Sequence, residues 1–372
     1  MKKCKLGDLF KIQQGYAFKS EKYQKSGRYV LCTLGNISSE NNFKYDLKKV
    51  NYYSDDFPNN FILNEGDLII PLTEQTFGLF GNTAFVPHTE NFQFVLNQRV
   101  GKIIPNEDVD KYYLHYLLST NSVRDQIEAT ATGTSQRNTS PKNIYDVVVW
   151  VPEYDKQKQI GKILYDIEKK INNNNAINNN LQELMNTFYD YYFIKQTQNN
   201  VSNCSKLLCK DILEVKTGKE DANFGNSNGK YKFFTCSKET INCDKPAFSG
   251  QSILIAGNGD FNVKHYNGEF NAYQRTYVLI PSDSLYYGTL YMSALKLVQK
   301  FRKASSGSIV KFISKSDVEN IEIIIPNNHN LLLSLNKYLD YIEKNEKENE
   351  RLIKIRNFIV PLLMNGQDTI DE

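Results

Sequence analysis

The sequence predicts an α+β protein built from two β-rich units, each followed by one long helix. A set of motifs occurs twice in the same order, each set ends in an apolar strand that closes on a proline, and a long helical pattern follows each proline. The motifs pair as LGDLFKIQQG (6–15) with CKDILEVKTG (209–218), GRYVLCT (27–33) with GKYKFFT (229–235), EGDLII (65–70) with SGQSILI (249–255), NQRVGKIIP (97–105) with YQRTYVLIP (273–281), TGTSQRNTSP (132–141) with SGSIVKFISK (306–315), and IYDVVVWVP (144–152) with VENIEIIIP (318–326). Such a duplication indicates two similar surfaces used at once.

Residues 1–152 form the first predicted unit. Apolar or alternating runs bounded by Gly, Pro and Asn, such as LIIPL (68–72) and VVVWVP (147–152), are typical of strands. Apolar residues at helical spacing predict one helix near 109–129. The second unit, 197–326, repeats this order, with its helix near 285–303.

The predicted long helices occupy 153–196 and 327–372, the latter including a C-terminal tail. Apolar residues recur in both with a period of about 3.5. The first seam comprises Ile160, Ile163, Ile167, Ile177, Leu181, Leu184, Phe188 and Tyr191, and the second comprises Leu335, Tyr338, Ile342, Leu352, Ile359 and Leu363. One small unit could not bury stripes of this length, so we expect the helices to pack on each other as a coiled coil.

Two asparagines, Asn174 and Asn349, fall on these seams. They could fix the register of the helices at some cost in stability. Alternatively, they simply weaken the pairing in an Asn-biased stretch, NNNNAINNN (172–180). The sequence favours neither interpretation.

Composition restricts the function only weakly. The 372 residues carry a net charge of +3, which is a small electrostatic footprint for a nucleic-acid-binding protein. The chain shows no secretory segment and no apolar stretch of membrane-spanning length, so we expect a cytoplasmic protein with reduced thiols. Cys204 and Cys209 with Cys236 and Cys243 leave a zinc site open, but without a CxxC pair the favoured interpretation is small buried thiols and no metal.

Motifs for catalysis are missing from the sequence. There is no GxxxxGK[ST], no strand followed by GxGxxG, no HExxH, no GxSxG and no Pro-Pro pair of the kind found in adenine methyltransferases. The four histidines, His88, His115, His265 and His329, stand alone in the sequence. We therefore predict that the chain is not an enzyme and holds no cofactor.

Two segments carry a family resemblance. KLGDLFKIQQGYAFKSEKY (5–23) and TGTSQRNTSPKNIYDVVVWVPEYDKQKQIGKIL (132–164), within the doubled arrangement, resemble the DNA-specificity (S) subunit of Type I restriction-modification systems. The resemblance covers essentially the whole chain. The second copy departs from the pattern where Leu331 and Ser334 stand in place of Gln157 and Ile160.

The resemblance implies a division of labour. Each β-rich unit would be a target-recognition domain that reads one half of a split double-stranded DNA sequence. The helices would be antiparallel, would relate the units by a pseudo-twofold axis, and would set the spacing of the half-sites. They would also dock two modification (methyltransferase) subunits, which bind S-adenosylmethionine, while restriction (motor-nuclease) subunits would supply ATP- and Mg²⁺-dependent activity.

Sequence-specific recognition needs polar side chains on loops held by a rigid scaffold. Two pairs of matching loops, one member in each unit, meet this need: 73–82 with 256–268, and 132–140 with 305–314. The candidate DNA-binding residues are Lys19, Gln75, Thr76, Thr134, Gln136, Arg137, Asn258, Asn262, Lys264, Ser308 and Lys311. Gln98-Arg99 and Gln274-Arg275 recur at matching places, which favours a scaffold role over base contact.

Two other functions share some of these features. A protein-binding adaptor with two β-rich domains on a coiled-coil strut would have the same architecture. A self-contained enzyme would need a catalytic cluster, and the two halves share no histidine or carboxylate pair. We therefore predict a specificity subunit, with the adaptor as the alternative.

Overall fold

The computed structural model describes residues 1–75, 77–133, 136–195, 204–305 and 312–366. The chain divides into two compact units: Met1–Ile171 with Arg351–Glu372 form unit 1, and Asn172–Glu350 form unit 2. Each unit combines a β-rich part with segments of both long helices. In the described part of the chain, no helix is both long and apolar enough to cross a lipid bilayer.

Unit 1 is built from short strands in several small sheets. Its strands are β1 (Lys2–Lys5), β2 (Phe10–Gln14), β3 (Tyr23–Gln24), β4 (Tyr29–Cys32), β5 (Tyr52–Tyr53), β6 (Leu68–Pro71), β7 (Thr73–Glu74), β8 (Ala84–Phe85), β9 (Gln93–Leu96), β10 (Val100–Pro105), β11 (Arg137–Asn138) and β12 (Val148–Val151). The sheet orders are β2-β10-β6-β8 and β3-β5-β4-β9, with ladders joining β1 to β12 and β7 to β11. These pairs are antiparallel except β4 with β9.

The helices of unit 1 are α1 (Lys111–Leu118), α2 (Asn121–Thr130) and α3 (Pro141–Tyr145), and the first long helix is α4 (Tyr154–Tyr189). The single helix predicted near 109–129 is therefore two helices. The hydroxyls of Ser119 and Thr120 each donate to a carbonyl three residues earlier, both at 2.8 Å. These bonds compete with continuation of the helix and end α1.

Unit 2 has one larger sheet. Its strands are β13 (Cys204–Leu208), β14 (Lys216–Thr217), β15 (Tyr231–Phe234), β16 (Ile241–Cys243), β17 (Phe248–Ala256), β18 (Val263–Ala272), β19 (Thr276–Leu279) and β20 (Glu322–Pro326). The sheet order is β14-β19-β17-β18-β15-β16, and β13 pairs with β20. The helices are α5 (Cys209–Ile212), α6 (Tyr287–Ser305), α7 (Lys315–Glu319) and the second long helix α8 (Asn330–Met364).

The duplication in the sequence is confirmed as a duplication of topology. The β1–β12 ladder corresponds to β13–β20, the order β2-β10-β6 corresponds to β14-β19-β17, and the parallel pair β4–β9 corresponds to β15–β18. The repeat of Gly15 as Gly218 in the two motifs has a structural reason. A Cβ at Gly15 would lie 2.1 Å from the Asn97 carbonyl oxygen, and one at Gly218 would lie 1.9 Å from that of Ala272. Only glycine admits this backbone approach.

The long helices start close to where they were predicted. The boundaries at 152 and 326 fall between β12 and α4 and between β20 and α8. Within unit 1, Ile160 and Leu164 share a core with Leu363 and Met364. In both units these cores also contain side chains of the β-rich part, so each helix segment packs on its own unit as well as on the other helix.

Beyond Asn174 the predicted seam of α4 is correct only in part, since Leu181 and Phe188 pack against the core of unit 2. Ile177, Leu184 and Tyr191 are exposed, and Met185 and Tyr189 are buried in their place. A period of 3.5 suits two helices that coil only around each other, whereas an uncoiled helix presents one face every 3.6 residues. The segment of α4 within unit 2 therefore packs against the rest of that unit with the longer period.

The seam asparagines form a buried pair in unit 2. Asn174 Nδ2 donates to Asn349 Oδ1 at 2.9 Å and to Glu348 Oε2 at 2.8 Å, and Asn345 Nδ2 donates to Asn178 Oδ1 at 2.8 Å. In this network, higher numbers on α4 face lower numbers on α8, so the two segments are antiparallel within the unit. A buried amide pair of this kind penalises shifted registers, which favours the register interpretation.

A buried glutamate attaches each long helix to the β-rich part of its unit. Glu168 of α4 accepts a hydrogen bond from the Tyr116 hydroxyl at 2.7 Å. Glu343 of α8 accepts one from the Tyr287 hydroxyl at 2.6 Å, and His265 Nδ1 lies 3.2 Å from the same carboxylate. His265, which stands alone in the sequence, is thus a packed residue with a carboxylate partner in space.

His115 is also paired, because its Nε2 lies 3.5 Å from Glu168 Oε2 and its Nδ1 lies 2.7 Å from the Thr83 hydroxyl. Burial opposes ionisation of Glu168 and Glu343. Hydrogen bonding and charge from the neighbouring histidine and tyrosine outweigh burial, so the pKa of each carboxyl is lowered. Both pairs join residues far apart in sequence.

We expect Glu343→Ala to destabilise unit 2 by about 2–4 kcal/mol, because the Tyr287 hydroxyl and His265 lose their buried acceptor. Since the folded-state pKa is lowered, the contribution is complete above the unfolded pKa of about 4.3 and is lost as pH falls through the lower folded value. Thermal melting at pH 7 and below pH 4 measures both effects. The exposed Glu183→Ala is the control, and an equal loss at both pH values would contradict the assignment.

Candidate nucleic-acid interface

The two predicted loops of each unit meet at a single residue. In unit 1 the Leu72 amide donates to the Arg99 carbonyl at 2.9 Å, and the Leu72 carbonyl accepts from the Thr139 amide at 3.0 Å. Loops 73–82 and 132–140 therefore leave from one point of the sheet. The pairing of β7 with β11 extends this contact.

Unit 2 repeats the arrangement with Gly257 in the place of Leu72. Its amide donates to the Arg275 carbonyl at 2.9 Å, and its carbonyl accepts from the Ile313 amide at 2.7 Å. Gly257, in the predicted loop 256–268, is thus joined to Ile313, in the predicted loop 305–314. The first of these predicted loops ends earlier than expected, because β18 begins at Val263. Sequence matching paired each loop with its counterpart in the other unit, whereas these hydrogen bonds join two segments of the same unit.

A buried ion pair organises the loops of unit 1. The Glu74 carboxylate is 1% exposed and accepts from Arg137 Nη1 at 2.7 Å, from the Leu79 amide at 2.9 Å and from the Phe80 amide at 3.3 Å. Arg137 Nη2 also donates to the Glu128 carbonyl at 3.0 Å. Arg137, a predicted DNA contact, is therefore engaged in holding the loop.

The tip of loop 73–82 projects into solvent above this ion pair. Phe77 is 76% exposed, and the Arg137 guanidinium carbon lies 5.0 Å from the centre of its ring. The predicted contact Gln75 is exposed beside it, and Gln136 is half-buried. Thr76 and Thr134 lie outside the described residues. An aromatic ring with a neighbouring amide offers both stacking and hydrogen bonding to a nucleic acid.

In unit 2, two of the predicted contacts stabilise the protein itself. Asn262 is buried, and its side-chain amide donates to the Cys236 carbonyl at 2.8 Å. Lys264 Nζ donates to the Ser237 carbonyl at 2.6 Å. Burial lowers the pKa of Lys264 to about 8, so the ammonium is still mostly protonated at neutral pH.

The remaining predicted residues vary in exposure. Asn258 is half-buried near the tip of its loop, and Lys19 is exposed. Ser308 and Lys311 lie outside the described residues, next to Phe312, which is 65% exposed. Phe77 and Phe312 were missed by the sequence reasoning, which sought polar residues. An aromatic residue in a loop otherwise rich in polar residues and glycine was the available signal.

The cysteines considered for zinc are distributed among separate contacts. Cys209 lies in the core of unit 2, Cys236 Sγ lies 3.4 Å from the Arg275 carbonyl and Cys243 Sγ lies 3.4 Å from that of Lys245. Across the described ranges, no three His, Cys, Asp or Glu side chains are grouped so that they could hold a metal ion.

Comparison with known families identifies the protein family in which these paired loops occur. The family model described as Type I restriction modification DNA specificity domain matches residues 1–183 and again residues 205–354. The chain belongs to this family. Its two matches to the specificity domain begin in β1 and β13, so the family unit is the unit that the sequence repeats.

Similar proteins carry the same description. The chain is 32% identical over 166 residues to the Type I restriction enzyme EcoDI specificity subunit of Escherichia coli, which is 43% of this chain and 37% of that protein. It is 25% identical over 171 residues to the MjaVIII specificity subunit of Methanocaldococcus jannaschii, covering 45% of this chain and 39% of the relative. Each match thus spans less than two fifths of the relative's length.

The fold is shared with a solved specificity-family structure. The crystal structure of a Type I restriction-modification system S subunit from M. genitalium superposes with a TM-score of 0.67 at 15% identity, covering 100% of this chain and 96% of that one. At this identity the likeness establishes the fold. The α+β architecture predicted from the sequence is confirmed.

Proposed function

We propose that this chain is the sequence-specific DNA-binding subunit of a Type I restriction-modification enzyme, and that it acts in the cytoplasm. Each unit would read one half of a split DNA sequence through its loop pair. The observation that carries the proposal is that two specificity domains share one backbone scaffold but differ in the loops it presents. Two readers of different half-sites need this combination, because base contacts specify sequence while the scaffold does not.

Exposed apolar side chains on the long helices support a second part of the proposal, that modification subunits dock there. Ile177, Leu184 and Tyr341 in unit 2 are 48%, 46% and 59% exposed, and Ile355 and Phe358 in unit 1 are 49% and 71% exposed. Ile177 and Leu184 are seven residues apart and Ile355 and Phe358 are three apart, so each pair lies on one helix face, and apolar side chains grouped on one face favour protein contact. S-adenosylmethionine would be bound by those subunits, and ATP and Mg²⁺ by restriction subunits.

The proposal is tested by mapping methylated adenines in cells with and without this gene. A split sequence that is methylated only when the gene is present is the expected result. A protein-only adaptor would leave the methylation pattern unchanged, and that outcome would exclude the proposal. The mapped sequence also supplies the DNA probes for the experiments below.

Exchanging residues 1–152 for the first domain of another family member should change one half of the mapped sequence and leave the other half intact. The structure adds a condition: the donor must provide partners equivalent to Tyr116 and His115 for Glu168, because this buried contact attaches the domain to α4. Methylation mapping of the hybrid measures the outcome. A change in both halves would contradict independent reading by the two units.

A further inference from the structure

One repeated turn combines a fixed backbone with an exposed arginine. It is formed by residues 97–100 in unit 1 and 273–276 in unit 2. The amide of Val100 donates to the Asn97 carbonyl at 2.9 Å, and that of Thr276 donates to the Tyr273 carbonyl at 2.8 Å. The two turns have the same backbone hydrogen bond, so Gln98-Arg99 and Gln274-Arg275 occupy the same place in their units.

Three further backbone hydrogen bonds are repeated around the turn. The Asn97 amide donates to the Cys32 carbonyl at 3.2 Å, as the Tyr273 amide does to the Phe234 carbonyl at 2.9 Å. The Gly15 amide donates to the Val100 carbonyl at 3.2 Å, as the Gly218 amide does to the Thr276 carbonyl at 3.1 Å. The third pair comprises the bonds to the carbonyls of Arg99 and Arg275 that position the loops. All of these bonds use main-chain atoms. The scaffold role predicted for the turn therefore needs no arginine side chain.

The side chains of Arg99 and Arg275 are exposed, and within the described ranges neither makes a hydrogen bond, an ion pair or a ring contact. Arg137 differs, since its guanidinium is held by Glu74 at 2.7 Å. An arginine present at the same place in both units, with no side-chain partner among the described residues, has its positive charge available to a ligand.

The position of these arginines indicates which part of the DNA they would bind. Each carbonyl accepts from the residue at which both loops of its unit meet, so each arginine extends from the backbone at the root of a loop pair. Base contacts must differ between two units that read different half-sites. Contacts to phosphate carry no sequence information, and the same residue can make them in both units. Arginine matches a phosphate with two parallel hydrogen bonds.

We propose that Arg99 and Arg275 are positioning residues that bind the DNA phosphate backbone, one in each half-site, and so set the depth at which each loop pair meets the bases. The inference rests on the proposed DNA-binding function. It also reconciles that function with the net charge of +3, because it assigns two placed cations to the interface in place of a broadly basic surface.

The test uses the full chain in complex with its modification subunits and two labelled duplexes, one with the mapped sequence and one with both halves scrambled. Affinities are measured by anisotropy from about 50 to about 200 mM salt. Arg99→Gln and Arg275→Gln should each weaken binding to both duplexes by the same factor, about tenfold, and reduce the slope of log K against log salt by about one.

Arg99→Lys and Arg275→Lys should keep the salt slope of the wild type and recover part of the affinity for both duplexes, because lysine keeps the charge that contacts phosphate but loses the second parallel hydrogen bond of the guanidinium. Lys5→Gln and Lys206→Gln remove one positive charge from each unit at sites already paired with Asp146 and Glu322, and they serve as matched controls. Thermal melting should be unchanged in all variants, since neither arginine side chain takes part in the hydrogen bonds that hold the turn.

Each result separates the two proposals. If the wild-type complex prefers the mapped duplex but the glutamine variants bind as the wild type does, the phosphate assignment is overturned and the proposed function stands. If a glutamine variant loses only the mapped duplex, the arginine reads bases, and the inference is again overturned. A wild-type complex that does not distinguish the duplexes contradicts the proposed function, while the scrambled duplex still reports on the arginines.

Discussion

Removing residues 172–178 together with 345–351 is expected to abolish methylation of the original sequence and to transfer it to one whose half-sites lie about three base pairs closer. Seven residues shorten an α-helix by about 10 Å, and base pairs are stacked at about 3.4 Å. These segments are chosen because they contain both members of the Asn174–Asn349 pair, so the deletion removes matched parts of the two helices.

The choice also preserves the buried attachments of the helices. A deletion of 167–173 with 342–348 would remove Glu168 and Glu343 and detach both helices from their β-rich parts. Duplicating 172–178 and 345–351 is the companion variant, and it should lengthen the spacer by a similar amount. Methylation mapping measures both. An unchanged spacer in methylating variants would show that the helices do not set it.

Replacing Glu74 by alanine is expected to reduce methylation of the mapped sequence by about a hundredfold or more, while the melting temperature of the protein changes far less. Breaking a buried ion pair by removing one partner costs about 3–5 kcal/mol, and each 1.4 kcal/mol is a factor of ten in population. The cost falls on the loop, because the carboxylate joins Arg137 to the amides of Leu79 and Phe80.

Two further variants make the Glu74 result specific. Glu90→Ala removes an exposed carboxylate from the same unit and should have no effect on methylation. Glu74→Gln combined with Arg137→Met replaces the ion pair by neutral side chains and should recover part of the loss. Half-site-resolved binding should show the defect in one half of the DNA sequence only, and an equal defect in both halves would contradict the assignment of this loop to one reader.

Local sequence was sufficient to predict the duplicated scaffold. Strand patterns, the closing prolines Pro152 and Pro326 and the Gly15/Gly218 match all reflect backbone constraints that act over a few residues. Such constraints leave a periodic or repeated signal because each one restricts the residue types that a position accepts. The asparagine pair was also visible, since Asn174 and Asn349 interrupt otherwise apolar seams.

Contacts between distant side chains left no such signal. Glu74 and Arg137 are 63 residues apart, and Tyr287 and Glu343 are 56 apart, with no fixed spacing that a sequence pattern could reveal. The sequence proposed Arg137 and Lys264 as DNA contacts because base reading needs polar and charged side chains on loops. Packing instead gives both of them partners within the protein.

The sequence by itself determined that this protein is one scaffold used twice, with a long helix after each copy and with its differences concentrated in two pairs of loops. Only the tertiary structure decided which polar side chains are available to a ligand. Hydrogen bonding within the fold satisfies Arg137, Asn262 and Lys264, while the turns of Arg99 and Arg275 are held by main-chain atoms and by the side chains of Asn97 and Thr276, without either guanidinium. A charged side chain that makes no contact within the fold is available to bind a partner. Whether it makes such contacts depends on its neighbours in space, which its neighbours in sequence do not determine.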